Sequence, residues 1–193
     1  MADIVLTGDT SGAITVAAPA VAGTNTLTLP ASTGTIITDT APKAGNILQV
    51  VSVTKDTSFT TTSTSFTDIT GLSVAITPSA TSSKILVLMN VATSNTTSTG
   101  IAFTQLVRGS TAISIGDSGE TGNPCTGYTA QAGYDMGQVA VQYLDSPSTT
   151  SATTYKLQLK APSGQTAAVN RTGEMQSQQG NVASGITLME VAG

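Results

Sequence analysis

The spacing of its apolar residues constrains this chain more than any other feature, because it follows a period of two and not the helical period of about 3.6. Leu72, Val74 and Ile76 alternate with Ser73, Ala75 and Thr77 and stop at Pro78, which predicts a half-buried strand. Val139, Val141 and Tyr143 repeat the pattern within residues 136–144, and Tyr155, Leu157 and Leu159 alternate with Lys156, Gln158 and Lys160. Residues 47–55 are partly apolar on both faces, as in a strand covered on each side. The run Ile85-Leu86-Val87-Leu88-Met89 is apolar throughout and too short for a buried helix, so residues 84–91 predict a central strand.

The segments between these runs consist of turn formers. Residues 103–108 and 112–115 flank Gly109-Ser110-Thr111 and predict a hairpin, and Asp145-Ser146-Pro147-Ser148 predicts the turn before residue 155. With residues 167–170 and 186–191, about eight to ten strands follow residue 45. Ser and Thr make up roughly three residues in ten, well above ordinary usage. Thr is β-branched and fits a pleated, half-exposed surface, whereas Ser and Gly fit turns. The expected class is all-β: an extended N-terminal arm of short strands followed by an antiparallel β-sandwich, jelly-roll-like. With 39% hydrophobic residues in regular patches, the chain is too apolar for a solvated coil.

Residues 1–42 read differently from the rest. Residues 4–6, 13–16, 27–29 and 36–37 are small apolar patches separated by Gly, Pro, Ala and Thr. None could seed a core alone, so this arm is expected to fold against something else. Pro42-Lys43-Ala44-Gly45 marks a turn or linker. The division is therefore an attachment or oligomerisation arm, 1–42, and a sandwich domain, 43–193.

Composition also narrows function. The net charge is −4 and the seven Lys and Arg residues are scattered singly, which leaves no basic footprint for nucleic acid. The longest apolar run is far too short for a helix to cross a bilayer, and Asp3 stands where a signal peptide carries Lys or Arg. The single cysteine, Cys125, cannot form an internal disulfide and reads as a buried, inert thiol.

The segment Gly12-Ala13-Ile14-Thr15-Val16-Ala17-Ala18-Pro19, with Gly23-Thr24-Asn25-Thr26-Leu27-Thr28-Leu29-Pro30 and Thr33-Gly34-Thr35, resembles the N-terminal segments of phage tail-fibre and virion structural proteins. Ile76-Thr77-Pro78-Ser79, Ser83-Lys84-Ile85-Leu86-Val87 and Ile186-Thr187-Leu188-Met189-Glu190 are similar to the C-terminal β-sandwich of the same proteins. The resemblance implies a homotrimer on the virion surface. Its arm, residues 1–42, would dock on a tail, baseplate or capsid protein, and its sandwich would face a glycan or protein of the host. The chain lacks the repeated shaft modules of a long fibre, which leaves a short tail fibre, a head fibre or a capsid decoration (cement) protein.

Catalytic chemistry finds few candidates. With no histidine, nucleophile–histidine arrangements are unavailable, and one cysteine cannot build a zinc site from the usual donors. Paired carboxylates could cleave a glycan, and Asp117, Glu120, Asp135 and Asp145 are the acids clustered in sequence. No Trp is present to stack a sugar, and these acids read as loop-solvating. Asp117-Ser118-Gly119-Glu120 lacks the acidic ladder of an EF-hand, and Gly119, Gly122, Gly127 and Gly133 lack a phosphate-loop lysine. No enzyme activity, metal or cofactor is therefore expected.

Residues 116–135 form the longest stretch without strand character, and long loops in compact folds tend to carry binding function. Tyr128 and Tyr134 lie in it and are the candidates for receptor contact, each offering an apolar ring and a hydroxyl. Residues 170–181 form a second polar loop, rich in Gln and Gly.

Overall fold

The computed structural model describes residues 4–7, 13–16, 42–97, 99–119, 121–130, 135–173 and 180–193. The chain divides into two compact units, Met1–Ile36 and Ile37–Gly193. In the first, β1 (Ile4–Thr7) pairs antiparallel with β2 (Ala13–Val16), with Ile4 opposite Val16. Two of the four apolar patches of the arm thus become strands. The patches at 27–29 and 36–37 lie outside the described residues.

The second unit contains β3 (Ile47–Lys55), β4 (Phe59–Thr61), β5 (Thr67–Ile76), β6 (Lys84–Asn95), β7 (Ile101–Arg108) and β8 (Thr111–Ile113). These are followed by β9 (Gly127–Ala130), β10 (Met136–Asp145), β11 (Thr153–Lys160), β12 (Ala167–Val169) and β13 (Ser184–Val191). All pairings are antiparallel, and no helix occurs among the described residues.

Three strand lines are interrupted. β4 resumes the line of β3. β12 and β13 run one after the other along one edge of β6, opposite its residues 95–93 and 90–84. β8 and β9 do the same along β7. Each sheet then reduces to four lines, the first in the order β3/β4, β12/β13, β6, β10 and the second in the order β5, β11, β7, β8/β9. Apart from the step from β7 to β8, each new line begins in the sheet opposite the last. This wrapping is that of a jelly roll, two antiparallel sheets closed on one core.

The core follows from the alternation. Ile85, Val87, Ile186 and Leu188 of the first sheet and Leu72, Leu106, Leu157 and Leu159 of the second are fully buried, each contributing about 1.5–3 kcal/mol on burial. Val139, Val141 and Tyr143 also belong to the core-facing set, as their period predicts. In β5 both Ile69 and Leu72 point inward. They do so because the pairing with β11 skips between Asp68 and Ser73, a bulge containing Gly71 at φ 90°.

The two ends of the sandwich differ. At the lower end the chain enters: Gly45 N–H donates to Ala192 O and Ala192 N–H to Asn46 O, each at 2.8 Å. Residues 77–83 and 146–152 cross between the sheets there. At the upper end, among the described residues, 62–66, 96–97, 99–100 and 161–166 lie on crossings between the sheets.

Buried polar groups lock the lower end. Asp145 closes β10, where the sequence predicted a turn, and its side chain faces inward. Arg108 Nη1 donates to its two oxygens at 2.8 and 2.9 Å, and the Tyr155 hydroxyl donates to Oδ2 at 2.6 Å. Residues from both sheets thus meet at one carboxylate. The hairpin turn is Gly109-Ser110, with Thr111 already in β8, because Gly109 takes the positive φ (59°) that such a tight turn needs.

Candidate functional site

The outer face of the second sheet carries an aromatic row. Lys160 of β11 lies opposite Phe103 of β7, and Phe103 opposite Tyr128 of β9. Their neighbours Leu159, Ala102 and Thr129 are buried, so the pleat directs this row away from the core. Phe66 extends the row, since it immediately precedes Thr67, which pairs with Leu159. Three of the chain's seven aromatic residues therefore share one strip of surface. Tyr128 is the most open of them, 61% exposed.

Close contacts organise the strip. The Phe103 and Tyr128 rings lie 6.2 Å apart at a 39° tilt, within the range of favourable edge-tilted pairs. The Lys160 ammonium sits 5.3 Å from the Phe103 ring centre and 5.4 Å from that of Phe66, a cation held between two π faces. It also donates to Asn123 Oδ1 at 2.7 Å.

Residues 114–119 and 121–126 build the wall. They leave the β7 edge after β8 and return in line with β9. The neck of this excursion is closed by Gly116 N–H donating to Cys125 O at 3.1 Å and Thr126 N–H to Thr104 O at 3.0 Å. The Thr126 hydroxyl accepts from Leu106 N–H at 2.8 Å and donates to Ile113 O at 3.3 Å. Gly127 then lets β9 approach β10, because a Cβ there would stand 2.5 Å from Val139 Cγ1. Together Phe103, Asp117, Asn123, Pro124, Cys125 and Tyr128 border a groove of about 580 Å³.

The electrostatics single out Lys160. On the same face Lys156 pairs with Asp68 at 2.8 Å, and Gln158 donates to the other Asp68 oxygen at 2.7 Å. Hydrogen bonds from Lys156 and then Gln158 hold the Asp68 carboxyl below its ordinary value. Lys160 makes no such ion pair among the described residues. Cys125 is half-buried rather than buried, because it stands in the groove wall. Burial raises its thiol above the usual range, against the Gly127 backbone and the Lys160 charge.

The sequence candidates separate accordingly. Tyr128 lies in the groove, but on a strand: β9 runs through the middle of the segment read as strandless. Tyr134 lies outside the described residues, as does Glu120. The described acids Asp117 and Asp145 do not converge. Asp145 is inside the lower end, whereas Asp117 is on the exposed excursion, where its Oδ1 accepts Gly119 N–H at 2.8 Å. No cluster of three metal-ligating side chains occurs among the described residues, and no helix there could cross a membrane.

Phe66, Phe103, Lys160 and Asn123 escaped the sequence reading. The signal was a Phe at 103 out of phase with Ala102, Thr104 and Leu106, but it acquires meaning only once the register with β9 and β11 is known. No protein-family model matches the chain, and no curated protein matches it either.

Proposed function

We propose that the chain is a non-enzymatic structural protein of a phage virion, a short homotrimeric tail fibre that holds on through its N-terminal arm and grips the host surface with its sandwich. One observation carries the adhesive part of this reading. The chain enters the sandwich at the lower end, beside Ala192, whereas the aromatic row crosses the second sheet near its upper end, where β5 begins and β11 terminates. A module anchored from below presents that row outward.

The outer face of the first sheet supports self-association. Val50, Met189, Leu86 and Leu144 lie opposite one another across four strand lines. Val50 and Leu144 are about half exposed, as is Ile47 nearby. Four strands about 4.8 Å apart over some eight residues of about 3.3 Å span roughly 500 Å². Closed on a three-fold axis, each face is shared between two neighbours, so three copies together bury roughly 1,500 Å². Copies that meet through this face around a three-fold axis turn their second sheets, and the groove, toward the host.

The test is a virion carrying Tyr128→Ala. Adsorption to host cells falls while virion assembly and the heat resistance of the capsid are retained. Normal adsorption with early bursting of heated capsids would instead mark a decoration protein and overturn the fibre reading.

A further inference from the structure

We infer that the strip formed by Phe66, Lys160, Phe103 and Tyr128 is a subsite for an acid-bearing saccharide, a sugar whose carboxylate or phosphate meets the Lys160 ammonium while its ring lies on Tyr128. This rests on the adhesive reading of the groove and names the chemistry of what it grips.

Three features of the strip carry the inference. The first is the state of Lys160. The two lysines of β11 that face outward are treated differently by the fold: Lys156 is neutralised by Asp68, whereas Lys160, among the described residues, makes no ion pair and is held by two ring faces and the neutral Asn123 side chain. Ring quadrupoles and an amide oxygen steady a cation without cancelling its charge. One of its three N–H donors goes to Asn123, which leaves donors for a ligand oxygen.

The second is preorganisation. Lys160 is held by side chains from β7, from the segment before β5 and from the 114–126 excursion, so its rotamer freedom is spent before any ligand arrives. A charge-assisted hydrogen bond then forms at low entropic cost.

The third is the apolar partner beside it. The Tyr128 ring is exposed, braced by Phe103 and bordered by Asn123 and Thr126. An exposed ring with amide and hydroxyl groups at its rim suits a molecule that is apolar on one face and hydroxylated around its edge. Most sugars have that form. A fully apolar ligand would strand Lys160, and a bare anion would leave Tyr128 unused.

The test uses the full chain, the host cells, and surface polysaccharide purified from them. The polysaccharide is used untreated, after reduction of its carboxylates to alcohols, and after cleavage of its phosphodiesters by hydrofluoric acid. Untreated polysaccharide should bind, and one of the two treatments should abolish binding, which identifies the acid. Lys160→Gln should weaken binding about ten-fold at low salt, Lys160→Arg should restore most of it, and rising salt should erase the difference. Unchanged melting of Lys160→Gln excludes misfolding as the cause. Binding that survives both treatments, or equal affinity of wild type and Lys160→Gln, overturns the acid-bearing ligand. Binding to cells without binding to any polysaccharide overturns the saccharide and leaves adhesion standing. No binding to cells defeats both readings.

Discussion

Asp145 is buried to 4% exposure and depends on two residues of the opposite sheet, Arg108 and Tyr155. Removing one partner of a buried pair strands the other charge. Arg108→Ala should therefore cost about 3 kcal/mol of unfolding free energy, and Tyr155→Phe about 2, both measurable by denaturant titration. The Tyr155 phenol is pushed far above its usual range, first by burial and then by the Asp145 carboxylate, so it stays protonated as a donor. Glu190 is a second such group at the same end. Burial raises its carboxyl, but hydrogen bonds from Ser79 and Gln49 outweigh this and hold it below the ordinary 4.5. A depressed carboxyl stabilises the fold above the unfolded value, and the stabilisation disappears as pH falls through the folded one. Glu190→Gln should thus be about 1–2 kcal/mol less stable than wild type near neutrality, with the gap closing under acid. Denaturant titrations of both proteins across the acid range measure it. Neither cluster was legible in the sequence, since each joins residues tens of positions apart whose meeting depends on the sheet order.

At the level of elements, the long strands were legible, as were the short β8 and β12, whereas β4 and β9 were not. β5, β10 and β11 follow from apolar alternation, because a strand with one buried face must repeat at two residues, and β3 and β6 follow from short runs that are apolar on both faces. β4 and β9 are three- and four-residue strands of mostly Thr, Gly and Ala with one aromatic each, too short to show a period. Their existence depends on an edge already offered by β12 and β7. The interrupted line of β12 and β13 likewise needs a device that only tertiary structure reveals. Asn170, at φ 61°, donates to Lys55 O at 2.8 Å and Thr57 O at 3.1 Å and accepts from the Ser184 hydroxyl. One side chain therefore pins both the break between β3 and β4 and the departure of the chain from β12. Asn170→Ala should cost about 2–3 kcal/mol and raise amide exchange selectively in β4 and β12. Uniform exchange across the sandwich would contradict this local role.

For the whole molecule, the two outer faces differ in chemistry. The first sheet presents the apolar row Val50, Met189, Leu86 and Leu144 among polar positions such as Ser52, Asn90 and Gln142, and the second presents charged and polar residues with the aromatic row. If the first face is where copies meet, Leu144→Glu should reduce the mass measured by light scattering from three chains to one without lowering the melting transition of the isolated sandwich. An unchanged mass would move the interface elsewhere. This asymmetry was not legible in the sequence, because which of two alternating sets faces a neighbour is a property of the assembly and not of the strand.

The most direct test of the account is binding of the purified, terminally labelled chain to host cells, competed by unlabelled wild type and by unlabelled Tyr128→Ala. The account predicts that wild type displaces the label and that Tyr128→Ala, folded and of the same mass, does not. Equal displacement by both would contradict it, since the groove of the second sheet would then play no part in holding the host.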